Sequence, residues 1–339
     1  MLPNLPREKL LDLYRRMLTI RHFEETLIGI YDQGRFQGHY HVYIGQEATG
    51  VSAISCFEEG DYLFTTHRNH GHLLARGADP EKLFAEILGR RGGYNKGKGG
   101  SFHTSVAELG FLHTSGVVGG IIPLAAGVAY AAKALKNGGI GVALFGDGAL
   151  EEGAAPESFN LASLWKLPVL FLCENNGKYG PGRAAAAVPS SSMAVYPLTE
   201  LPAAYKIPAQ QVDGADAGAV YEVVSQAVKK IRAGEGPQFI EAQTVRWPGS
   251  ETNWPVLAAP TDVAFAWDLS PVPEAVREWY RDSDPLLLFI RELVDGGMTT
   301  KEGVAGLDRE VRKTVERAVS AALASPFPEP EEALKDVFA

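Results

Sequence analysis

Cysteine is nearly absent: Cys56 and Cys173 are the only two among 339 residues. That count excludes a disulfide framework, and each thiol sits in an apolar run (AISCF, LFLCE) that reads as a buried side chain. Basic residues are in deficit as well. Lys and Arg total 32 against 41 Asp and Glu, a formal net charge of −9. A nucleic-acid surface is thereby excluded as the main business, because phosphate backbones demand concentrated cations. A pocket for one small anion is not. The charged N-terminus (MLPNLPREKLLDLYRRML) has no apolar core of the signal type. Residues 114–132 carry no charge, yet Pro123, Gly116, Gly119, Gly120 and Gly127 interrupt them and basic flanks are missing. They read as a Gly-rich turn and a buried helix, with no membrane span, in a protein expected to be soluble and cytoplasmic. Internal repeats and low-complexity linkers are also lacking.

What is present is an ordinary globular composition, 45% hydrophobic and 22% charged. Leu10, Leu13, Tyr14, Met17, Ile20 and Phe23 recur at three- and four-residue steps, predicting an amphipathic helix over 7–33. A histidine-rich stretch runs on to Gly77, and residues 90–101 (RRGGYNKGKGGS) form a Gly/Lys loop. Beyond it, apolar runs at 140–147, 167–175, 209–214 and 237–245 alternate with helix-like stretches near 121–136, 150–165 and 216–233. Continuous apolar strands alternating with helices predict an α/β fold, a parallel sheet sandwiched by helices. Ligands in such folds sit at the carboxyl ends of the strands. The expected organisation is a helical arm (1–40), an α/β domain (41–250), and a loop with helical extension (251–339). Within the extension, helices are expected at 272–282 and 285–294, with a last one opened by Thr299 and Glu302 as a capping box.

The strongest chemical signal is Gly146-Asp147-Gly148 ending one apolar run, with Glu174-Asn175-Asn176 ending the next. Glycines beside an acid let the backbone approach a phosphate closely while the carboxylate takes a cation. An amide oxygen of Asn176, on the neighbouring strand end, reaches the same ion, and an all-oxygen set suits magnesium. The separation, 176 − 147 = 29 residues, leaves room for a strand end, a helix and a return strand. A lone Gly-Asp-Gly is more often a turn; the pair at this spacing is what carries weight.

Further segments stand in a telling order: RHFEE (21–25), HVYIGQEA (41–48), THRNHGHLLARG (66–77), KGKGGSFH (96–103), SGVVGGIIPLAAG (115–127), the run 146–176, and VDGAD (212–216). With them the chain, up to about residue 246, resembles alpha subunits of the thiamine-diphosphate-dependent decarboxylating components of 2-oxo acid dehydrogenase complexes. The pyruvate, branched-chain and acetoin types are included. The resemblance implies a thiamine-diphosphate-binding fold in an α2β2 heterotetramer, with cofactor held between alpha and beta-type chains and a 2-oxo acid as substrate. By position it implies Asp147, Asn176 and the main-chain carbonyl of Lys178 as Mg2+ ligands, and backbone contacts to the diphosphate from Gly148 and Ala149. His67 and Arg68 match the diphosphate-binding pair, where an arginine fork donates two bonds. Gly116 and Val118 match backbone contacts to the aminopyrimidine ring, and His41 a histidine near the substrate. The glutamate that activates the aminopyrimidine belongs to the family's beta chain, so an obligate beta partner is implied.

The match breaks after residue 245. The family pattern is T-x-R-x-x-G-H-S, whereas this chain reads Thr244-Val245-Arg246-Trp247-Pro248-Gly249-Ser250. Arg246 is retained; Ser250 stands in the histidine's place, and no register shift supplies another, since the last histidine is His113. Serine does not titrate near neutral pH, so acid–base work there is lost or reassigned. Arg246 and Ser250 join His41 as catalytic candidates. Two acyl acceptors stay open: the arm of a lipoyl acyltransferase, as the family implies, or an aldehyde or ketone in a carboligase. A non-catalytic structural subunit is a third reading. A dinucleotide-binding dehydrogenase lacks its glycine fingerprint.

Seven of the eight histidines lie between residues 39 and 113. No HxxxH or CxxC frame turns them into a transition-metal site. His22, His39 and His72 read as helix-surface or capping groups, and His70 and His103 are left open as site-lining residues. The Gly/Lys loop lacks the ending of a P-loop and is expected to be a flexible wall of the site.

Overall fold

Strands buried on both faces need apolar side chains in both directions, and the central runs provide them. The computed structural model describes residues 2–36, 38–178, 193–245, 247–248, 257 and 259–336, with 177 and 178 by their backbone alone. Six strands form one wholly parallel sheet: β1 (Tyr62–Thr66), β2 (Phe111–Ser115), β3 (Gly141–Gly146), β4 (Val169–Lys178), β5 (Ala209–Asp213) and β6 (Gln238–Val245). Their order is β2-β1-β3-β4-β6-β5, so the winding reverses between β1 and β3. That reversal opens a crevice at the carboxyl ends of these two strands.

The helices are α1 (Arg7–Asp32), α2 (Glu47–Ile54), α3 (Asn69–Ala75), α4 (Pro80–Ile87), α5 (Ile121–Leu135), α6 (Ala154–Leu164), α7 (Glu200–Ala204), α8 (Ala217–Arg232), α9 (Arg277–Asp282), α10 (Pro285–Asp295) and α11 (Lys301–Ala324). Side chains alternate across the sheet with a period of two. Val142, Leu144, Leu170 and Leu172 join α1, α2, α8, α10 and α11 in one core, while Ala143, Phe145, Phe171 and Phe239 join α5 and α6 in another. The first core draws on arm, sheet and extension together. No described helix is long and apolar enough to cross a membrane.

A buried ion network fastens the arm to the extension. Arg21 in α1 donates to Glu47 of α2 at 2.7 Å and forms a two-pronged bond to Asp284 at 2.9 and 3.0 Å. Asp284 in turn caps α10 through the amides of Leu286 and Leu287. Asp284 and Glu47 together hold the Arg21 guanidinium well above its ordinary pKa, against the opposing effect of burial.

The histidine-rich stretch contains β1 and α3. The structure corrects three local expectations. The last helix is capped by Thr300, whose hydroxyl accepts from the Gly303 amide, and not by Thr299. His22 and His72 are buried within the fold, His22 lying 2.7 Å from Asp308 of α11, while His39 is exposed. The Gly/Lys loop is no flexible wall. It folds around the buried Glu86 of α4, whose carboxylate accepts from the amides of Asn95 (2.6 Å), Gly97 (3.0 Å) and Gly99 (2.7 Å). The loop's amides are thus taken by an internal anion and are not a phosphate cradle.

Candidate functional site

Residues that follow β1, β2, β3 and β4 converge on one cavity of about 170 Å³. From β1 come Thr66, His67 and Arg68; from β2, Ser115, Val118 and Gly119. From β3 come Gly146 to Ala149, and from β4, Glu174 and Asn176. Gly146 pairs with Glu174 across the β3–β4 ladder, so Asp147 and Asn176 leave adjoining strand tips. The ladder between β4 and β6 then slips by one residue between Asn175 and Lys178, a bulge that re-aims Asn176. Asn176 Nδ2 donates to Gln46 Oε1 at 2.8 Å, bringing the turn before α2 into the wall.

The residue types fit a divalent cation carrying a diphosphate. Asp147 and Asn176 supply the hard oxygen donors that magnesium takes, and the backbone of Lys178 continues the same strand. A Cβ built on Gly148 would meet nothing within 4 Å, so open space lies above this backbone for a phosphate to approach. Arg68 and His67 line the same cavity as cation and hydrogen-bonding group. Burial, then the neighbouring Arg68 guanidinium and the His41 ring, pushes the His67 imidazole down to about 3. No group of three or more His, Cys, Asp or Glu side chains placed to hold a metal ion is found among the described residues.

Beneath the cavity lies a hydrogen-bonded cluster. Tyr43 donates to Glu174, His72 Nε2 lies 3.1 Å from the same oxygen, and His72 Nδ1 lies 2.7 Å from Thr65 Oγ1. Burial, reinforced by Glu174, raises the Tyr43 phenol far above its ordinary pKa, so it stays a donor. The Tyr43 ring packs so tightly on α3 that a Cβ at Gly71 would come within 2.0 Å of it. Glycine is required there.

Of the residues singled out in the sequence, His67, Arg68, Val118, Asp147, Gly148, Ala149 and Asn176 face this cavity. His41 and Gly116 lie one layer away: the His41 ring is 4.5 Å from that of His67, and Gly116 packs against Phe102. His70 is buried between Glu24 and Ser101 and His103 is exposed, so neither lines the cavity. Arg246 and Ser250 lie outside the described residues. Gln46 and Glu174 were inside quoted motifs, but nothing in the sequence assigned them a role. A larger cavity of about 420 Å³ is lined by Phe57 and Glu59, which precede β1, and its arginines already pair with Asp12 and with backbone carbonyls.

Parallel strands with helices on both faces, and a site of carboxylate, amide and arginine at the strand tips, define an α/β cofactor-binding chain. The chain belongs to the dehydrogenase E1 component family, whose profile matches residues 15–259. It is 37% identical over 336 residues to the alpha subunit of acetoin:2,6-dichlorophenolindophenol oxidoreductase from Cupriavidus necator, covering 98% of this chain and 95% of that one. To the pyruvate dehydrogenase E1 component subunit alpha of Zymomonas mobilis it is 38% identical over 327 residues, covering 96% and 87%. To the acetoin-linked alpha subunit of Bacillus subtilis it is 36% identical over 338 residues, covering 99% and 95%. The resemblance drawn from the motifs is borne out for family, fold and the thiamine-dependent decarboxylating class of activity.

Proposed function

We propose that the chain is the alpha subunit of a thiamine-diphosphate-dependent enzyme that decarboxylates a 2-oxo acid, with Mg2+ between Asp147, Asn176 and the Lys178 carbonyl. The observation that carries this reading is the convergence of Asp147 and Asn176 on one cavity faced by Arg68 and His67. When bound, the cofactor supplies the electron sink that decarboxylation requires. The chain's own residues bind and orient. Arg68 offsets diphosphate charge, the amides around Gly148 approach the phosphates, and neutral His67 donates or accepts a hydrogen bond without bringing a charge.

A beta-type partner completes the site. Val118 (48% exposed) lines the cavity beside the exposed Val117 (69%), and Leu124, Tyr130, Leu135, Leu164 and Trp165 are exposed apolar side chains on or just after α5 and α6. A monomer does not leave such a surface bare without a partner for it. Heterotetramer assembly and a cytoplasmic location complete the proposal. Relatives of nearly equal identity are named for pyruvate and for acetoin, so identity does not choose the substrate.

One observation favours a second acceptor. The chain has no histidine after His113, and serine stands at 250, so transfer to a carbonyl compound competes with transfer to a lipoyl acyltransferase. The test is calorimetry with thiamine diphosphate and Mg2+ on the chain with its partner, followed by product analysis with 2-oxo acid and either lipoyl domain or aldehyde. Binding by wild type no tighter than by Asp147→Ala would leave a structural subunit as the answer.

A further inference from the structure

We infer that Gln46 is a positioning residue which sets the face that Asn176 presents to the cation; this rests on the metal reading above. A primary amide has two ends of nearly equal size and opposite hydrogen-bonding character, an oxygen that accepts and an NH2 that donates. Only the oxygen can ligate magnesium. Which end faces the cavity is decided by what the other end meets. Here Gln46 Oε1 accepts from Asn176 Nδ2 at 2.8 Å, which commits the NH2 to Gln46.

Gln46 is itself held in place. It is 4% exposed, stands at the residue before α2, and its backbone N–H donates to the Tyr43 carbonyl at 3.1 Å. The preceding Gly45 has φ +92°, and its amide donates at 2.8 Å to Glu47, the carboxylate bound to Arg21. A Cβ at Gly45 would lie 3.4 Å from both the Trp279 ring and the Val245 carbonyl. The turn that aims Gln46 is therefore wedged between α9, β6 and the buried ion network. Asn176, in contrast, sits in a bulge where the ladder is interrupted, so strand pairing alone does not fix it. Gln46, from outside the sheet, supplies an orienting contact.

The experiment measures Mn2+ or Mg2+ affinity, by electron paramagnetic resonance or calorimetry, in the full chain with its partner and saturating thiamine diphosphate. Gln46→Leu removes the acceptor and is expected to weaken the metal by about tenfold to a hundredfold, the usual loss when an outer-shell partner goes. Gln46→Glu keeps an acceptor oxygen for Nδ2 and is expected to hold the metal within about threefold of wild type or tighter. A role in packing alone would move thermal stability in both variants and leave that split absent. Wild-type affinity in Gln46→Leu overturns the inference, as does equal loss in both variants. Should Gln46→Leu not fold, Gln46→Met, close to glutamine in shape, gives the same contrast. If wild type binds metal no better than Asp147→Ala, the metal reading fails first, and that outcome is separate from a Gln46 effect on a site that does bind.

Discussion

Replacing Glu86 by glutamine tests whether the Gly/Lys loop is built on an internal anion. Two carboxylate oxygens serve three amides, those of Asn95 and Gly97 on one oxygen and Gly99 on the other. Glutamine offers one oxygen, and its NH2 must point at an N–H that donates. Whichever way it turns, at least one half-buried amide loses its acceptor, and the bonds that survive lose their charge assistance. An orphaned donor costs about 1–3 kcal/mol, and weakening the remaining bonds adds about 1 kcal/mol, so the loop should open more easily by about 3 kcal/mol. At roughly 1.4 kcal/mol per tenfold, that is a loss of about a hundredfold in hydrogen-exchange protection at residues 95, 97 and 99. Exchange measured by NMR or mass spectrometry in Glu86→Gln and wild type reads this directly. Unchanged protection at those three amides would refute the claim that the carboxylate organises the loop.

Three further outcomes follow from the site and the core. His67 has its imidazole depressed from 6.5 to about 3 in the fold, so between these values the unfolded chain binds the proton that the folded one refuses. Stability of the cofactor-free protein should fall as pH drops from 6.5 toward 3 and be unaffected by this group above 6.5. The His67→Asn variant should show a shallower acid slope in denaturant titrations; an identical slope contradicts the assignment. Gly148→Val should leave the melting temperature near wild type, because a Cβ there meets nothing within 4 Å. It should weaken thiamine diphosphate binding by at least about tenfold, roughly 1.4 kcal/mol, read by calorimetry. Arg21→Met should destabilise the fold by about 3–5 kcal/mol in urea titrations, since Glu47 and Asp284 would remain buried without their cation.

The centre of the sheet was legible because β3 and the first half of β4 are continuous short apolar runs ending in polar residues, the pattern a doubly covered strand needs. The edge was not. In β2, Leu112 is exposed, and β1 ends in two threonines, so neither shows a clean run against the glycines and histidines around it. The meeting of Asp147 and Asn176 at one cavity could be read because it depends on two strand tips about one βαβ unit apart. The cluster of Tyr43, His72 and Glu174 could not, since it joins residues 131 positions apart through no local pattern. The same holds for Gln46 and Asn176, 130 positions apart. Glu86 is a further case: an acid within an amphipathic helix looks like a solvent-facing one until the loop that wraps it is in place.

The clamp between Arg21 and Asp284 joins residues 263 positions apart. At a synthesis rate of about 5–20 residues per second, Asp284 leaves the ribosome roughly 13 to 50 s after Arg21. Throughout that interval Arg21 lacks its two-pronged partner, so the nascent chain cannot settle its first helix on the finished core. The fold is locked by its own late-made portion, and a chain released early would have every strand yet no closing bolt.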